Sequence, residues 1–325
     1  MELLHEGYQR GASDVHFCAG LVPYLRIAGE IQPFAEYGLI EPQVAQREIA
    51  SLCKGDFDSD CDGIIEERSL RARYHVFRHT RGVSAAFRII PSEIPCLDSL
   101  GLPVTVAHAV DYTQGLVLVA GMAGAGKSTT LASIINGINV SRRCHVVTIE
   151  DPVEYLHQSV LSLVHQREVG IQTKSFSKAL KAALREDPDV ILIGELRDQE
   201  TMELALSAAE TGHLVLASVH ARSAVSAIER VVDGVSSNRQ GQARSMLAES
   251  LRLCVHQELI ADLSGGRVPV AEVLFGTSAV RTLIRDGKTH QLTGVMQASM
   301  REGMITAAMH QEQLCERGLI RLEVS

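Results

Sequence analysis

The stretch Gly121-Met-Ala-Gly-Ala-Gly-Lys-Ser-Thr-Thr130 decides the fold. Gly121, four residues, then Gly126-Lys127-Ser128 fill the phosphate-loop pattern G-x-x-x-x-G-K-[ST]. Ahead of it, Gly115-Leu-Val-Leu-Val-Ala120 is short, apolar and β-branched, which predicts a buried parallel strand. Behind it, Ser128 to Asn136 suits a helix. Strand, glycine loop and helix together give the pattern its chemistry. Backbone N–H groups of Gly121, Ala123, Gly124, Ala125, Gly126 and Thr129 are candidates to wrap phosphates, aided by the positive end of the helix. Lys127 would reach the β/γ oxygens of ATP as a point charge, and the Ser128 hydroxyl would ligate Mg²⁺.

Composition narrows the class. The 325 residues suffice for two domains or one large one. Hydrophobic residues make up 46% and aromatics only 4%, with no Trp, so the core must be aliphatic. A net charge of −8 argues against a nucleic-acid binder, which needs clustered Lys and Arg for phosphate contacts. Seven dispersed cysteines without a C-x-x-C pair fit reduced thiols in a cytoplasmic protein better than disulfides or a zinc ribbon. The start, MELLHEGYQR, lacks the basic and apolar segments of a signal peptide. No uncharged apolar run approaches the ~18 residues of a membrane span, so no direct membrane insertion is expected.

Residues 1 to 90 mix helices with strands, of which 22–28, 71–77 and 83–90 are the clearest. Asp58-Ser-Asp-Cys-Asp-Gly63 imitates the opening of a calcium loop, but Ser69 stands where the bidentate Glu belongs. It reads as an acidic, solvated loop before a hairpin. Prolines at 91, 95 and 103 mark a domain boundary near 91–104. Beyond it, expected strands at 116–120, 145–149, 190–193 and 214–219 alternate with helices at 127–137, 176–186, 198–211 and 223–233. That βαβ rhythm predicts a parallel sheet covered by helices. From 241 onward a largely helical chain is expected, with one strand at about 268–275.

Hydrolysis needs carboxylates beside the phosphates. One acidic cluster, Glu150-Asp151-Pro-Val-Glu154, ends the strand 146–149, and another, Glu195-Leu-Arg197-Asp198, follows 190–193. Both would lie beyond the carboxyl ends of parallel strands, where ligands bind in open α/β sheets. Either could instead merely cap the following helix. His213 and His220 bracket the strand 214–219, and the seven-residue spacing is not that of a helical metal pair. His220 is placed for a γ-phosphate or intersubunit role.

These segments resemble the type II/type IV secretion ATPases, most closely the PilT-like twitching-motility (pilus retraction) ATPases. The quoted motifs are GMAGAGKST at 121–129, TIEDPVEY at 148–155, REDPDVILIGELRD at 185–198 and TGHLVLASVHARSA at 211–224. GASDVHF at 11–17, RGVSAAFRIIP at 81–91, RSMLAESLR at 244–252 and SAVRTLIRDGKTHQL at 278–292 extend the likeness over the chain. The loop departs from its relatives at Met122, Ala123 and Ala125, where Pro, Thr and Ser are frequent, and the C-terminal motif departs at Val280 and Thr282.

The resemblance implies a PAS-like α+β domain at 1–98 and a RecA-like P-loop ATPase domain at 99–325 with a helical C-terminal part. It implies a homo-hexamer that hydrolyses ATP with Mg²⁺ and pushes on an inner-membrane pilus platform protein from the cytoplasmic side. Glu150 falls on the general-base position, Glu195 on the acid that holds Mg²⁺, and His213 and His220 on the histidine box. Arg71, Arg73, Arg81 and Arg88 match arginines of which some clamp the phosphates. No tetracysteine insert or extra N-terminal domain of the extension and type II secretion ATPases is seen, which favours retraction. An accessory or assembly ATPase, a nucleotide-gated scaffold and a DNA motor are the alternatives.

Overall fold

A computed structural model describes residues 2–52, 60–67, 70–90 and 93–321. Contacts divide the chain into two units, Met1–Glu93 and Ile94–Ser325. The first contains α1 (Glu2–Gln9), β1 (Ala12–Phe17), β2 (Tyr24–Ile27), β3 (Glu30–Pro33), α2 (Pro42–Leu52), β4 (Cys61–Glu67), β5 (Leu70–His79) and β6 (Gly82–Ile90). Its strands form an antiparallel sheet in the order β3-β2-β1-β6-β5-β4. Period-two alternation explains its one covered face: Leu70, Ala72, Tyr74 and Val76 of β5 are buried, and they join a core with Leu3 and Leu4 of α1 and Ala45 and Ile49 of α2. Asp58 and Ser59 of the acidic stretch lie outside the described residues, as do Pro91 and Ser92 of the boundary. Cys61 to Gly63 already belong to β4, so that part of the stretch is strand, not loop.

The second unit runs β7 (Gly115–Ala120), α3 (Lys127–Ser141), β8 (His145–Glu150), β9 (Leu163–Glu168), α4 (Phe176–Ala183), β10 (Val190–Ile193), α5 (Gln199–Glu210) and β11 (Leu214–Val219). It continues with α6 (Ala224–Asp233), α7 (Gln240–Ser250), β12 (Leu251–Ala261), β13 (Arg267–Phe275), α8 (Ser278–Arg285), α9 (Leu292–Ala298) and α10 (Ala307–Glu316). The sheet order is β13-β12-β7-β11-β10-β8-β9, parallel throughout except for the β12–β13 pair. Leu116 and Leu118 of β7 enter the core built with α4 to α9, while Val117 and Val119 enter the core built with α3. Burial on both faces is why these strands read as unbroken apolar runs.

The mixed α/β class and the four expected βα repeats are present. The expectation of helix from 241 is corrected at β12, an eleven-residue strand between β7 and β13. Leu251, Leu253, Cys254 and Val255 are all completely buried, so β12 lacks the alternation that would reveal it, and the preceding helix-forming residues of α7 mask its start. Strand β9 lies outside the expected strands; it is an edge strand of mixed polarity.

Leu118 has no exposed surface in the strand that leads to the phosphate loop. Leu118→Ala is expected to lower unfolding free energy by about 2–5 kcal/mol, checked by urea denaturation; a loss under 1 kcal/mol would show that the sheet's centre is not closely packed.

Candidate active site

Four sheet strands deliver their chemistry to one edge. The phosphate loop follows β7, Glu150 ends β8, Glu195 follows β10 and His220 follows β11. Because these strands are parallel, all four groups leave the same, carboxyl-terminal edge of the sheet.

The loop's shape depends on its glycines. Gly124 and Gly126 sit in left-handed backbone at φ 77° and 84°, and Gly121 has φ 154°. A Cβ on Gly121 would lie 2.4 Å from the Gln257 carbonyl oxygen, so only glycine lets β7 turn this close to β12. Lys127, the first residue of α3, donates from Nζ to the Gly121 carbonyl at 3.0 Å and the Met122 carbonyl at 2.9 Å. Gln257, only 2% exposed, donates from Nε2 to the Ala125 carbonyl at 2.6 Å and accepts from Thr130 Oγ1 at 2.8 Å. Ala123 and Gly124 are exposed at the tip, while Ser128 and Thr129 are half-buried in the first turn of α3. Thr129 Oγ1 and the Tyr155 hydroxyl lie 3.0 Å apart. A glycine cradle with no room for a Cβ at its base, followed by a lysine, a hydroxyl and the start of a helix, suits a polyphosphate. Burial lowers the pKa of Lys127, and the charges of Glu195 and Glu154 oppose that shift.

The two carboxylates have different surroundings. Glu150 accepts from Thr148 Oγ1 at 2.5 Å and from Gln166 Nε2 at 3.2 Å. Burial pushes its carboxyl up to about 7, against the lowering effect of those two hydrogen bonds; Glu154 and Glu168 add smaller upward pushes. A carboxyl poised there exchanges protons near neutral pH. Gly194 makes room for it: a Cβ at 194 would lie 3.2 Å from Glu150 Cα. Glu195, 14% exposed, meets His220 Nε2 at 3.2 Å on one oxygen and Arg197 Nε at 2.7 Å on the other. Arg197 also reaches Asp151 at 3.6 Å. Capping of the next helix falls instead to Asp198, which accepts from Thr201 N at 2.9 Å. That leaves Glu195 for the cluster.

His213 is not brought to this cluster. It precedes β11, where its Nδ1 lies 3.1 Å from the Ala208 carbonyl and its own carbonyl accepts from Gly115 N at 2.9 Å. Six strand residues, about 20 Å at 3.3 Å each, separate it from His220, so within its own chain it stands apart from the Glu195–His220 pair. Arg73, Arg81 and Arg88 belong to the first unit. Arg73 and Arg88 stand directly opposite each other on β5 and β6, and Arg81 lies in the turn between those strands. Arg88 is paired with Asp14 of β1 at 3.0 Å.

Sequence reading missed Gln257, Gln166 and Tyr155. Gln166 donates to both Glu150 and the Tyr155 carbonyl at 2.8 Å, and accepts from His157 N at 2.8 Å, so β9 holds the general-base candidate in place. Gln257 sits in the polar trio His256-Gln257-Glu258, which offers no signal that singles it out.

The raised pKa of Glu150 gives a signed expectation. The folded state holds this proton more tightly than the unfolded chain, so the charged carboxylate costs stability as pH rises from 4.5 toward 7 and above. Glu150→Gln is therefore expected to stabilise the fold by up to about 3 kcal/mol at pH 8, falling to about 1 kcal/mol at pH 5. Thermal denaturation at the two pH values checks this; a gain that does not shrink on acidification removes the buried-charge explanation.

A family model described as type II/IV secretion system protein matches residues 58–266. The chain is 41% identical over 333 aligned residues to the type IV pilus retractation ATPase PilT of Pseudomonas aeruginosa, covering 99% of this chain and 95% of that one. It is 43% identical to the uncharacterized protein YggR of Escherichia coli K12, covering 94% of each. A crystal structure of the pilus retraction motor PilT with bound ADP superposes with a TM-score of 0.87 at 40% identity, over 99% of this chain and 94% of that one. The chain belongs to the type II/IV secretion system protein family and is an ATPase of it.

Proposed function

We propose that this protein is the ATP-driven motor that retracts a type IV pilus. The observation that carries the proposal is identity of 41% with a pilus retraction ATPase along essentially the whole chain, not merely through the nucleotide site. It would act in the cytoplasm as a homo-hexamer of a PAS-like domain, 1–98, and a RecA-like domain, 99–325, pushing on an inner-membrane pilus platform protein. No helix among the described residues is long and apolar enough to cross a membrane.

The residues divide the work as follows. Backbone N–H groups between Ala123 and Thr129 hold the ATP phosphates, those of Gly121 and Ala125 being engaged by the Val219 and Met122 carbonyls, and Lys127 turns its ammonium from the loop carbonyls to the β/γ oxygens. Ser128 and Glu195 would hold Mg²⁺, whose charge offsets that of the phosphate oxygens. His220 and Arg197 fix Glu195 in orientation, one on each oxygen. Glu150, as carboxylate, takes the proton of the attacking water; its elevated pKa makes it a stronger base than an ordinary glutamate. Arg73, Arg81 and Arg88 are assigned as charge clamps on the phosphates.

Helix α8, within the resembling stretch 278–292, is assigned as the surface that passes motion to the pilus base. Its core anchors are Val280 and Ile284, both fully buried, while Leu283 is half-buried. Arg281 donates to the Gly276 carbonyl at 2.8 Å and Arg285 pairs with Glu249, so each arginine is spoken for separately.

Deleting the gene is expected to leave cells hyperpiliated and without twitching; normal twitching would overturn retraction as the function. In vitro, Lys127→Ala should abolish ATP hydrolysis, and Glu195→Gln should keep nucleotide binding while lowering turnover ~10²-fold or more. Phosphate release from Glu195→Gln above a third of the wild-type rate would remove its role.

A further inference from the structure

We propose that Gln257 is a positioning residue for nucleotide binding: its amide fixes the Ala125–Gly126 peptide and the start of α3, and so the shape of the loop that receives phosphate. The inference rests on the loop being the ATP site. Gln257 lies on β12, 132 residues from Ala125, and belongs to none of the quoted motifs. It makes two hydrogen bonds here and stands against two of the loop's glycines. Its Nε2 donates to the Ala125 carbonyl at 2.6 Å. Its Oε1 accepts from Thr130 Oγ1 at 2.8 Å, in the first turn of α3. Its backbone carbonyl is the atom that a Cβ on Gly121 would strike at 2.4 Å, and its Nε2 would lie 3.1 Å from a Cβ on Gly126.

The amide's orientation follows from its partners. A carbonyl can only accept, so the NH₂ end must face Ala125, and the oxygen is left for the Thr130 hydroxyl. Both hydrogen bonds are buried, where an unmatched partner costs most. One bond fixes the direction of the Ala125–Gly126 peptide, and the other fixes the helix that begins at Lys127. Between them lies the turn whose N–H groups converge on phosphate. An amide is the only side-chain head that donates at one end and accepts at the other while carrying no charge at any working pH. A glutamate keeps the shape but, when ionised, sets a negative oxygen against the Ala125 carbonyl. When protonated it donates again, and burial moves its pKa upward.

The test uses the full chain and measures ADP affinity by calorimetry from pH 6 to 8.5 for wild type, Gln257→Glu and Gln257→Met, with melting temperatures alongside. For Gln257→Glu, the dissociation constant is expected to exceed wild type by about tenfold or more at pH 8 and to return toward it as pH falls to 6. Dividing by wild type at each pH removes titrations common to both. Gln257→Met, which can make neither bond, should weaken ADP binding at every pH. If Gln257→Met does not fold, the Gln257→Glu ratio still decides. A ratio near one throughout, or one that follows melting temperature and not pH, overturns the positioning role. Absence of ADP binding by the wild type would instead sink the ATPase reading itself.

Discussion

A phosphate loop must leave its N–H groups facing outward, and this requires that its carbonyls be satisfied on the inside. Here the carbonyl of Met122 accepts from Ala125 N at 3.2 Å and that of Ala125 from Gln257, so both stay satisfied when Lys127 turns to phosphate. The Gly126 carbonyl accepts from Thr130 N at 3.0 Å as α3 begins. The N–H groups of Gly121 and Ala125 are themselves engaged, by the Val219 carbonyl at 3.3 Å and the Met122 carbonyl at 3.2 Å, so the donors left for phosphate are those of the turn between them and of the start of α3. Much else in the second unit follows from this. Gly121 must be glycine because the Gln257 carbonyl of β12 lies where its Cβ would stand, and β12 must lie beside β7 to bring the Gln257 amide to Ala125. The antiparallel β12–β13 pair then covers that side of the parallel sheet with a long, regular ladder.

The carboxylates illustrate a different constraint, the opposition of stability and chemistry. Glu195 is held on one oxygen by Arg197 and on the other by His220. Glu150 has only a hydroxyl and an amide, and burial prevails over both. Two glutamates at equivalent strand ends are thus set apart by their neighbours, one suited to holding charge and the other to accepting a proton.

Much of this was legible because it is local. The phosphate loop is ten consecutive residues, and the strand before it and helix after it lie within fifteen residues on either side, so pattern and context could be read together. Apolar runs ending in acid located β8 and β10 for the same reason. What could not be read were relations across the chain. Gln166 supports Glu150 from sixteen positions away, and Gln257 supports Ala125 from 132. Neither residue is unusual until its strand is known, and β12 was hidden because burial on both faces erased its alternation. His213 shows the converse: a motif placed it, and the length of β11 removed it from the cluster.

Alternate residues of β7 are gripped by separate helical layers, one above and one below. A plate held in this way behaves as a stiff lever, because bending it would stretch one packed layer and compress the other, and neither yields readily. A displacement at the phosphate edge should therefore reach the amino ends of the strands, where His213 and Gly115 sit, as tilt of the whole plate with little loss to internal flexing.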